Sequence, residues 1–92
     1  MFRDLLREHG FTARRGQQYA GGVDSPDVVC DELTDDFHFE VKFTERFNLR
    51  DSVEQANRDA QGKVAVVAHK RSHSPWLVTL SADEFLKLLS NQ

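Results

Sequence analysis

The segment from Phe37 to Phe43 constrains the fold most, because its seven residues alternate strictly between apolar and polar side chains. Alternation with a period of two is typical of a β-strand that has one face against a core and the other face polar. The apolar set is Phe37, Phe39, Val41 and Phe43, and the polar set is His38, Glu40 and Lys42. The chain is therefore predicted to contain a sheet with His38, Glu40 and Lys42 together on its polar face.

Helical periodicity, turn residues and apolar runs predict the elements around this strand. In chain order we expect a helix over 1–9, a strand over 11–15, a loop over 16–26, a strand over 27–30, a polar turn over 33–36, the strand over 37–43, a helix from Asn48 or Asp51 to Gly62, strands over 63–69 and 76–80, and a last helix opened by a capping box at 81–84. This order predicts one α/β or α+β domain over 1–92, with a central mixed sheet flanked by helices.

Two segments of this plan carry more specific expectations. The continuous apolar run from Val64 to Ala68 is typical of a strand that is buried on both faces. In the last helix, Phe85, Leu88 and Leu89 share the spacing of one helical face and are predicted to point inward. Trp76 is predicted to fill a core or an interface.

Composition excludes several classes of protein. Hydrophobic residues make up 39% and charged residues 29% of the 92, as in ordinary soluble globular domains. No apolar run approaches the ~18–20 residues of a membrane span, and charges interrupt the N-terminal segment where a signal peptide would need an apolar core. A single cysteine, Cys30, fits a reducing, cytoplasmic location. His38, His69 and His73 share no metal-ligand spacing, so a zinc site is not expected.

The formal net charge of −3 counts against a general nucleic-acid binder, which is usually basic. The distribution of charge weakens this objection. Acidic residues are concentrated at Asp31, Glu32, Asp35 and Asp36, whereas basic residues cluster at 14–15 and 69–71. A bound divalent cation would also cancel carboxylate charge where a phosphate must approach. The candidate DNA contacts are Arg14, Arg15, Gln17, Lys70 and Arg71.

Asp27, Glu40 and Lys42 form the most informative combination of residues. If the turn over 33–36 makes a hairpin, Asp27 and Glu40 approach each other across neighbouring strands, and Lys42 shares the face of Glu40. Each residue alone is more often a turn residue or part of a solvated strand face. Two carboxylates that converge beside an ammonium group favour a divalent cation such as Mg²⁺ or Mn²⁺, which binds hard oxygen ligands.

The sequence also resembles a known superfamily. Ser25-Pro26-Asp27, followed by Glu40-Val41-Lys42, resembles the PD…ExK signature of the PD-(D/E)XK nucleases. The segment over 5–14 resembles the first helix and strand of archaeal Holliday junction resolvases and their phage relatives. Glu54-Gln55-Ala56 resembles the helix that follows the ExK strand, and the segment over 64–80 resembles the closing strands of small phage-encoded members.

This resemblance implies a restriction-endonuclease-like core and a metal-dependent endonuclease that hydrolyses DNA, with Holliday junctions among its candidate substrates. It implies that Asp27 and Glu40 bind Mg²⁺ or Mn²⁺, that Val41 offers its backbone carbonyl to the metal, that Lys42 is the catalytic lysine, and that Gln55 is an accessory catalytic group. The alternative is a nuclease-like module without activity that binds DNA or a protein.

Two features of the family have no direct match in this chain. The glutamate that family members carry in the first helix would fall before Met1, so Asp4 and Glu8 are the candidates to replace it. The serine that precedes a glycine pair in resolvases is Ala20 here. A homodimer is expected, with an interface that draws on the strand over 76–80 and the last helix, because small domains often gain stability from a partner. A protein of this kind encoded by a phage would act inside the host cell.

Overall fold

The computed structural model describes residues 1–16, 27–33 and 35–90. The elements are α1 (Phe2–Glu8), β1 (Ala13–Arg15), β2 (Val28–Cys30), β3 (Phe37–Phe43), α2 (Leu49–Asp59), β4 (Val64–Lys70), β5 (Leu77–Thr79) and α3 (Ala82–Ser90). Their order is the predicted one, and the boundaries differ by at most three residues. Beyond Gly16, the predicted loop over 16–26 lies outside the described residues.

The five strands form one mixed sheet in the order β1-β2-β3-β4-β5. β3 and β4 are parallel, with Phe37 opposite Val64 and Phe43 opposite Lys70, and the other neighbouring strands are antiparallel. A parallel pair needs a long crossover connection, and α2 provides it. The prediction of a central mixed sheet flanked by helices is confirmed.

Each face of the sheet packs against a helix. On the first face, α1 covers a cluster of Phe2, Ala13, Val28, Cys30, Phe39, Val66 and Ala68. On the second face, Ala56 and Ala60 of α2 pack against Ala65 and Val67 of β4. β4 is therefore buried on both faces, as its apolar run predicts. Cys30 is fully buried in the first cluster, and burial is the main reason why the pKa of its thiol is raised.

Side-chain caps fix where the later helices begin. Asn48 is the N-cap of α2, because its side-chain oxygen accepts a hydrogen bond of 3.0 Å from the Asp51 amide. α2 ends at Asp59, before the Gly62 stop predicted from the sequence, because Gln61 and Gly62 both adopt positive φ angles. Ser81 caps α3 by accepting a bond of 3.4 Å from the Glu84 amide. Asn48 is one of the two caps predicted for α2, and Ser81 belongs to the capping box predicted for α3.

The predicted inward orientation of Phe85 and Leu89 is wrong. Their exposed fractions are 48% and 49%, and α3 contains no buried residue, with Leu88 only half-buried. The physical reason is that β5 has only three residues and lies at the edge of the sheet, so it offers α3 too little surface. Among the described residues, none of the helices has the length and apolar character needed to cross a membrane.

Trp76 belongs to the interior rather than to a binding surface. Its ring lies 5.4 Å from that of Phe2 and 6.2 Å from that of Phe43, measured between centroids. It thus joins α1 to the end of β3, where Phe43 itself is largely exposed. Trp76 is half-buried and packs against the first cluster, which agrees with the prediction of a core or an interface.

Candidate active site

Asp27 and Glu40 meet where β2 begins beside β3. Val28 is the register partner of Phe39, and the residue before it, Asp27, lies against β3 next to Glu40. The two carboxyl groups are close enough for a hydrogen bond between their side chains. The hairpin expected from the turn over 33–36 therefore brings both acidic residues together, as predicted.

Asp27 is held by the backbone of β3 at two points. Its amide donates a hydrogen bond of 2.9 Å to the Phe39 carbonyl, and its Oδ2 accepts one of 2.8 Å from the Val41 amide. The amide and carbonyl of one strand residue point to the same side of the strand. The Val41 carbonyl is therefore directed toward the β2 side as well, which is the side on which the Asp27 carboxylate lies.

Burial and the charge of Asp27 determine the protonation behaviour of Glu40. The pKa of Glu40 is raised, first because the side chain is largely buried and then because the Asp27 carboxylate repels a second negative charge. A hydrogen bond from His38 opposes this shift. In the absence of a cation, the pair thus carries an unfavourable accumulation of negative charge.

His38 is a site residue that sequence analysis missed. Its Nε2 lies 2.8 Å from Glu40 Oε1, and the exposed fractions of the two side chains are 3% and 13%. The residue lies on the same strand face as Glu40, two positions earlier, so the alternation of 37–43 did contain the signal. From the sequence, His38 is considered only as a zinc ligand, because the burial of its side chain by α2 depends on residues outside β3.

Lys42 is half-buried on the same face of β3 as Glu40, which agrees with the predicted arrangement. It is the register partner of His69 on β4. Lys42 thus lies two residues beyond Glu40 on the same face of β3. Its ammonium group is a hydrogen-bond donor and cannot bind a cation.

Gln55 lies on the flank of α2 that faces β3. Val53 and Asn57, on one flank of α2, line a cavity beside β5, and Ala56 packs on β4. By helical spacing, the opposite flank is therefore turned toward β3, and it contains Ser52, Gln55 and Asp59. Gln55 itself is exposed. No hydrogen bond within the described ranges connects it to either carboxylate, so its accessory role stays a prediction.

Asp4 and Glu8, the candidates to replace the missing first-helix glutamate, are not among the residues that line the cavity at Asp27. Asp4 is exposed and pairs with the Met1 amino group and with Arg3, and Glu8 is exposed at the far end of α1. The described part of the chain contains no group of three or more histidine, cysteine or acidic residues arranged to hold a metal. What it offers is two carboxylates and one backbone carbonyl. That set fits Mg²⁺ or Mn²⁺, which bind one or two carboxylates and keep several waters.

The predicted DNA contacts fall into separate groups. Arg15 lines a cavity of about 510 Å³ together with Asp27 and Val41, on the α1 side of the sheet with its register partner Val28. Arg14 forms an ion pair with Asp31 across the β1–β2 pair. Lys70 and Arg71 line a different cavity beyond the end of β3, and Gln17 lies outside the described residues.

Comparison with known proteins finds a likeness among solved structures. No family profile matches the chain, and no curated protein is similar to it. Among solved structures, the fold is similar to that of Hjc from Archaeoglobus fulgidus, which is described as a Holliday junction resolvase from an archaeal hyperthermophile. The two sequences are 31% identical, the match covers 85% of this chain and 74% of that one, and the TM-score is 0.56.

Proposed function

The chain belongs to the family of the archaeal Holliday junction resolvase Hjc, and from this membership we propose that it is a divalent-metal-dependent endonuclease that cuts branched DNA. The observation that carries the proposal is the close approach of the Asp27 and Glu40 carboxyl groups, on a strand where Lys42 shares the face of Glu40. A costly arrangement of this kind is typical of functional sites. The proposal includes the PD-(D/E)XK assignment of these three residues.

Asp27, Glu40 and the Val41 carbonyl are the groups that would hold Mg²⁺ or Mn²⁺. When bound, such a cation lowers the pKa of a coordinated water and offsets negative charge on a phosphate. The mutual repulsion of Asp27 and Glu40, together with the burial that raises the pKa of Glu40, supports a site that is completed by positive charge. The bond from His38 keeps the Glu40 carboxylate in one orientation.

Lys42 would act on the reacting phosphodiester or on the attacking water. Its ammonium group shares the face of Glu40 and is half-buried, where an electrostatic interaction with a phosphate is stronger than in bulk water. Arg15, which lines the cavity at Asp27 on the other face of the sheet, would contact a neighbouring phosphate. DNA would thus pass the end of the sheet where β2 begins.

A cleavage assay tests the proposed function directly. With Mg²⁺ or Mn²⁺, we expect the protein to cut a four-way junction or a flapped duplex faster than a linear duplex of the same sequence, and we expect EDTA to stop the reaction. Products are resolved on a denaturing gel. Binding to branched DNA without cleavage under any of these conditions would favour the alternative, a nuclease-like module that only binds.

The proposed enzyme is a homodimer. β5 is an edge strand with Leu77 and Val78 exposed, and α3 exposes Phe85, Leu86 and Leu89 beside it. An edge strand with a neighbouring apolar helix face is a surface that a second copy can cover. A two-fold pair would present one site to each of two DNA strands.

The dimer is tested by light scattering at micromolar concentration. We expect a mass twice the 10.6 kDa of the chain, and we expect Leu86→Glu to shift the mass toward the monomer, because it places a charge on the apolar surface. Lys87→Glu, one position along the same exposed helix, is the matched control and should leave the mass unchanged. A single species near 10.6 kDa for the wild-type protein, with or without DNA, would contradict the dimer.

A further inference from the structure

A second cavity, of about 630 Å³, lies at the end of the sheet where β3 and β4 finish. Its lining includes Arg46, Phe47, His69, Lys70, Arg71 and Pro75, and we call it the basic cavity. It is next to the candidate active site, because His69 is the register partner of Lys42 and parallel partners point to the same face. None of its residues belongs to the proposed metal site.

We infer that the basic cavity binds one unpaired nucleotide of the DNA substrate, with its phosphate at Arg46 and Arg71 and its base against Phe47. The inference rests on the proposed function and adds to it the feature of DNA that the protein would recognise. The volume lies within the ~300–1,000 Å³ range of ligand pockets.

The charge of the cavity suits a phosphate. Arg46, Lys70 and Arg71 are cations, and Glu45 is the anionic residue of the lining. Glu45 Oε1 accepts a hydrogen bond of 3.1 Å from the Ser72 amide, which lowers the pKa of the carboxyl group, as the nearby Arg71 does to a smaller degree. The Glu45 carboxylate is therefore negatively charged at neutral pH and hydrogen-bonded to the 71–72 turn. Subtracting its charge from the three cations leaves an excess of two positive charges.

The guanidinium groups of the cavity are largely available for a ligand, although Arg71 lies near enough to Glu45 to lower the pKa of that carboxyl group. The ion pairs formed within residues 1–16, 27–33 and 35–90 involve neither Arg46 nor Arg71. Lys70 is different, because its Nζ lies 5.4 Å from the centroid of the Phe43 ring. The two arginines are thus the groups that can form paired hydrogen bonds with phosphate oxygens.

The apolar part of the lining suits a base. The ring of Phe47 lies 5.4 Å from that of His69 in an edge arrangement, and His69 is itself fixed by a bond of 2.9 Å to Thr79 Oγ1. Burial lowers the pKa of His69, so this wall of the cavity is uncharged at neutral pH. Aromatic side chains beside cationic ones are the combination by which proteins hold unpaired bases, whereas a base inside a duplex cannot reach a side-chain ring.

The inference is tested by measuring DNA affinity with fluorescence anisotropy in EDTA, so that binding is separated from cleavage. The probes are a duplex with one extruded nucleotide and the same duplex fully paired. We expect the wild-type protein to prefer the first probe and Phe47→Ala to weaken binding to it by about tenfold, since stacking on one aromatic ring contributes that order of affinity. The Arg46→Ala/Arg71→Ala double variant should weaken binding to both probes and reduce the salt dependence.

Matched controls separate local from general effects. Arg58→Ala removes an exposed arginine of α2, and Phe47→Leu keeps apolar volume while it removes the aromatic face, in case Phe47→Ala fails to fold. Phe47→Leu should lose the preference for the extruded nucleotide. If the wild-type protein binds and cuts branched DNA but the Phe47 and arginine variants behave like Arg58→Ala, the inference about the cavity is overturned and the proposed function stands. If the wild-type protein binds no DNA, both fail.

Discussion

Glu40→Gln is expected to abolish DNA cleavage and at the same time to raise the thermal stability of the metal-free protein. The first effect follows because the amide removes a charged oxygen ligand, and a metal ion contributes several kcal/mol of charge stabilisation to such reactions, or roughly three orders of magnitude in rate. The second follows because the wild-type carboxylate is largely buried beside Asp27, where its ionised form is unfavourable. An active site that destabilises the fold is a common cost of function.

The pH dependence of stability shows in which direction Glu40→Gln should change the melting temperature. Because the pKa of Glu40 is raised in the folded state, the ionised carboxylate destabilises the fold above its unfolded-state pKa, and this cost is absent at acidic pH. The gain in melting temperature from Glu40→Gln in EDTA should thus be larger at pH 7 than at pH 4. Mg²⁺ or Mn²⁺ should raise the melting temperature of the wild-type protein but not of the variant.

Two companion variants complete this experiment. Asp27→Asn should abolish cleavage equally, although the asparagine oxygen can still accept the bond from the Val41 amide. Glu54→Gln removes an exposed carboxylate of α2 and should change neither rate nor stability. Cleavage by Glu40→Gln or Asp27→Asn within about tenfold of the wild-type rate would show that the reaction occurs elsewhere.

Lys42→Met is expected to lower the cleavage rate by about 10²–10³ while leaving metal affinity nearly unchanged, as when one stabilising donor is removed from a reacting anion. The ammonium group cannot be a cation ligand, so its contribution must be to water or phosphate. Single-turnover kinetics and calorimetry with Mn²⁺ measure the two quantities separately. Methionine keeps the length of the side chain, so packing on the half-buried face is preserved.

Lys63→Met is the matched control for this second variant, because Lys63 is exposed near the opposite end of β4. It should leave both quantities unchanged. The role assigned to Lys42 would have to be abandoned if Lys42→Met lost metal affinity but retained the wild-type rate with saturating metal.

Local sequence patterns predicted the parts of the fold that depend on one element at a time. The alternation of 37–43 gave β3, the face shared by Glu40 and Lys42, and the place of the candidate site. The apolar run of 64–68 identified the strand that is buried on both faces. These predictions succeeded because the period of side chains along a strand is fixed by backbone geometry.

The features that were missed depend on contacts between elements. His38 is buried although its strand face carries polar residues, because α2 crosses from β3 to β4 on that side of the sheet. Asp59 is buried near the end of the same helix for the same reason. Phe85 and Leu89 have the spacing of an inward face, but the sheet ends before it can cover them. None of these outcomes is visible in one segment alone.

The pairing of Asp27 with β3 has a consequence for how this chain can change in evolution. An insertion or deletion in the 31–36 connection changes the length of a turn, and the closeness of Asp27 and Glu40 can survive it. One residue inserted between Phe39 and Glu40 would turn the following side chains to the opposite face and send the carboxylate into the α1 core. We expect length variation among homologues to be concentrated in that turn and to be absent from 37–42. Substitutions of β3 residues outside the site can thus preserve it, whereas a change in the length of the strand cannot.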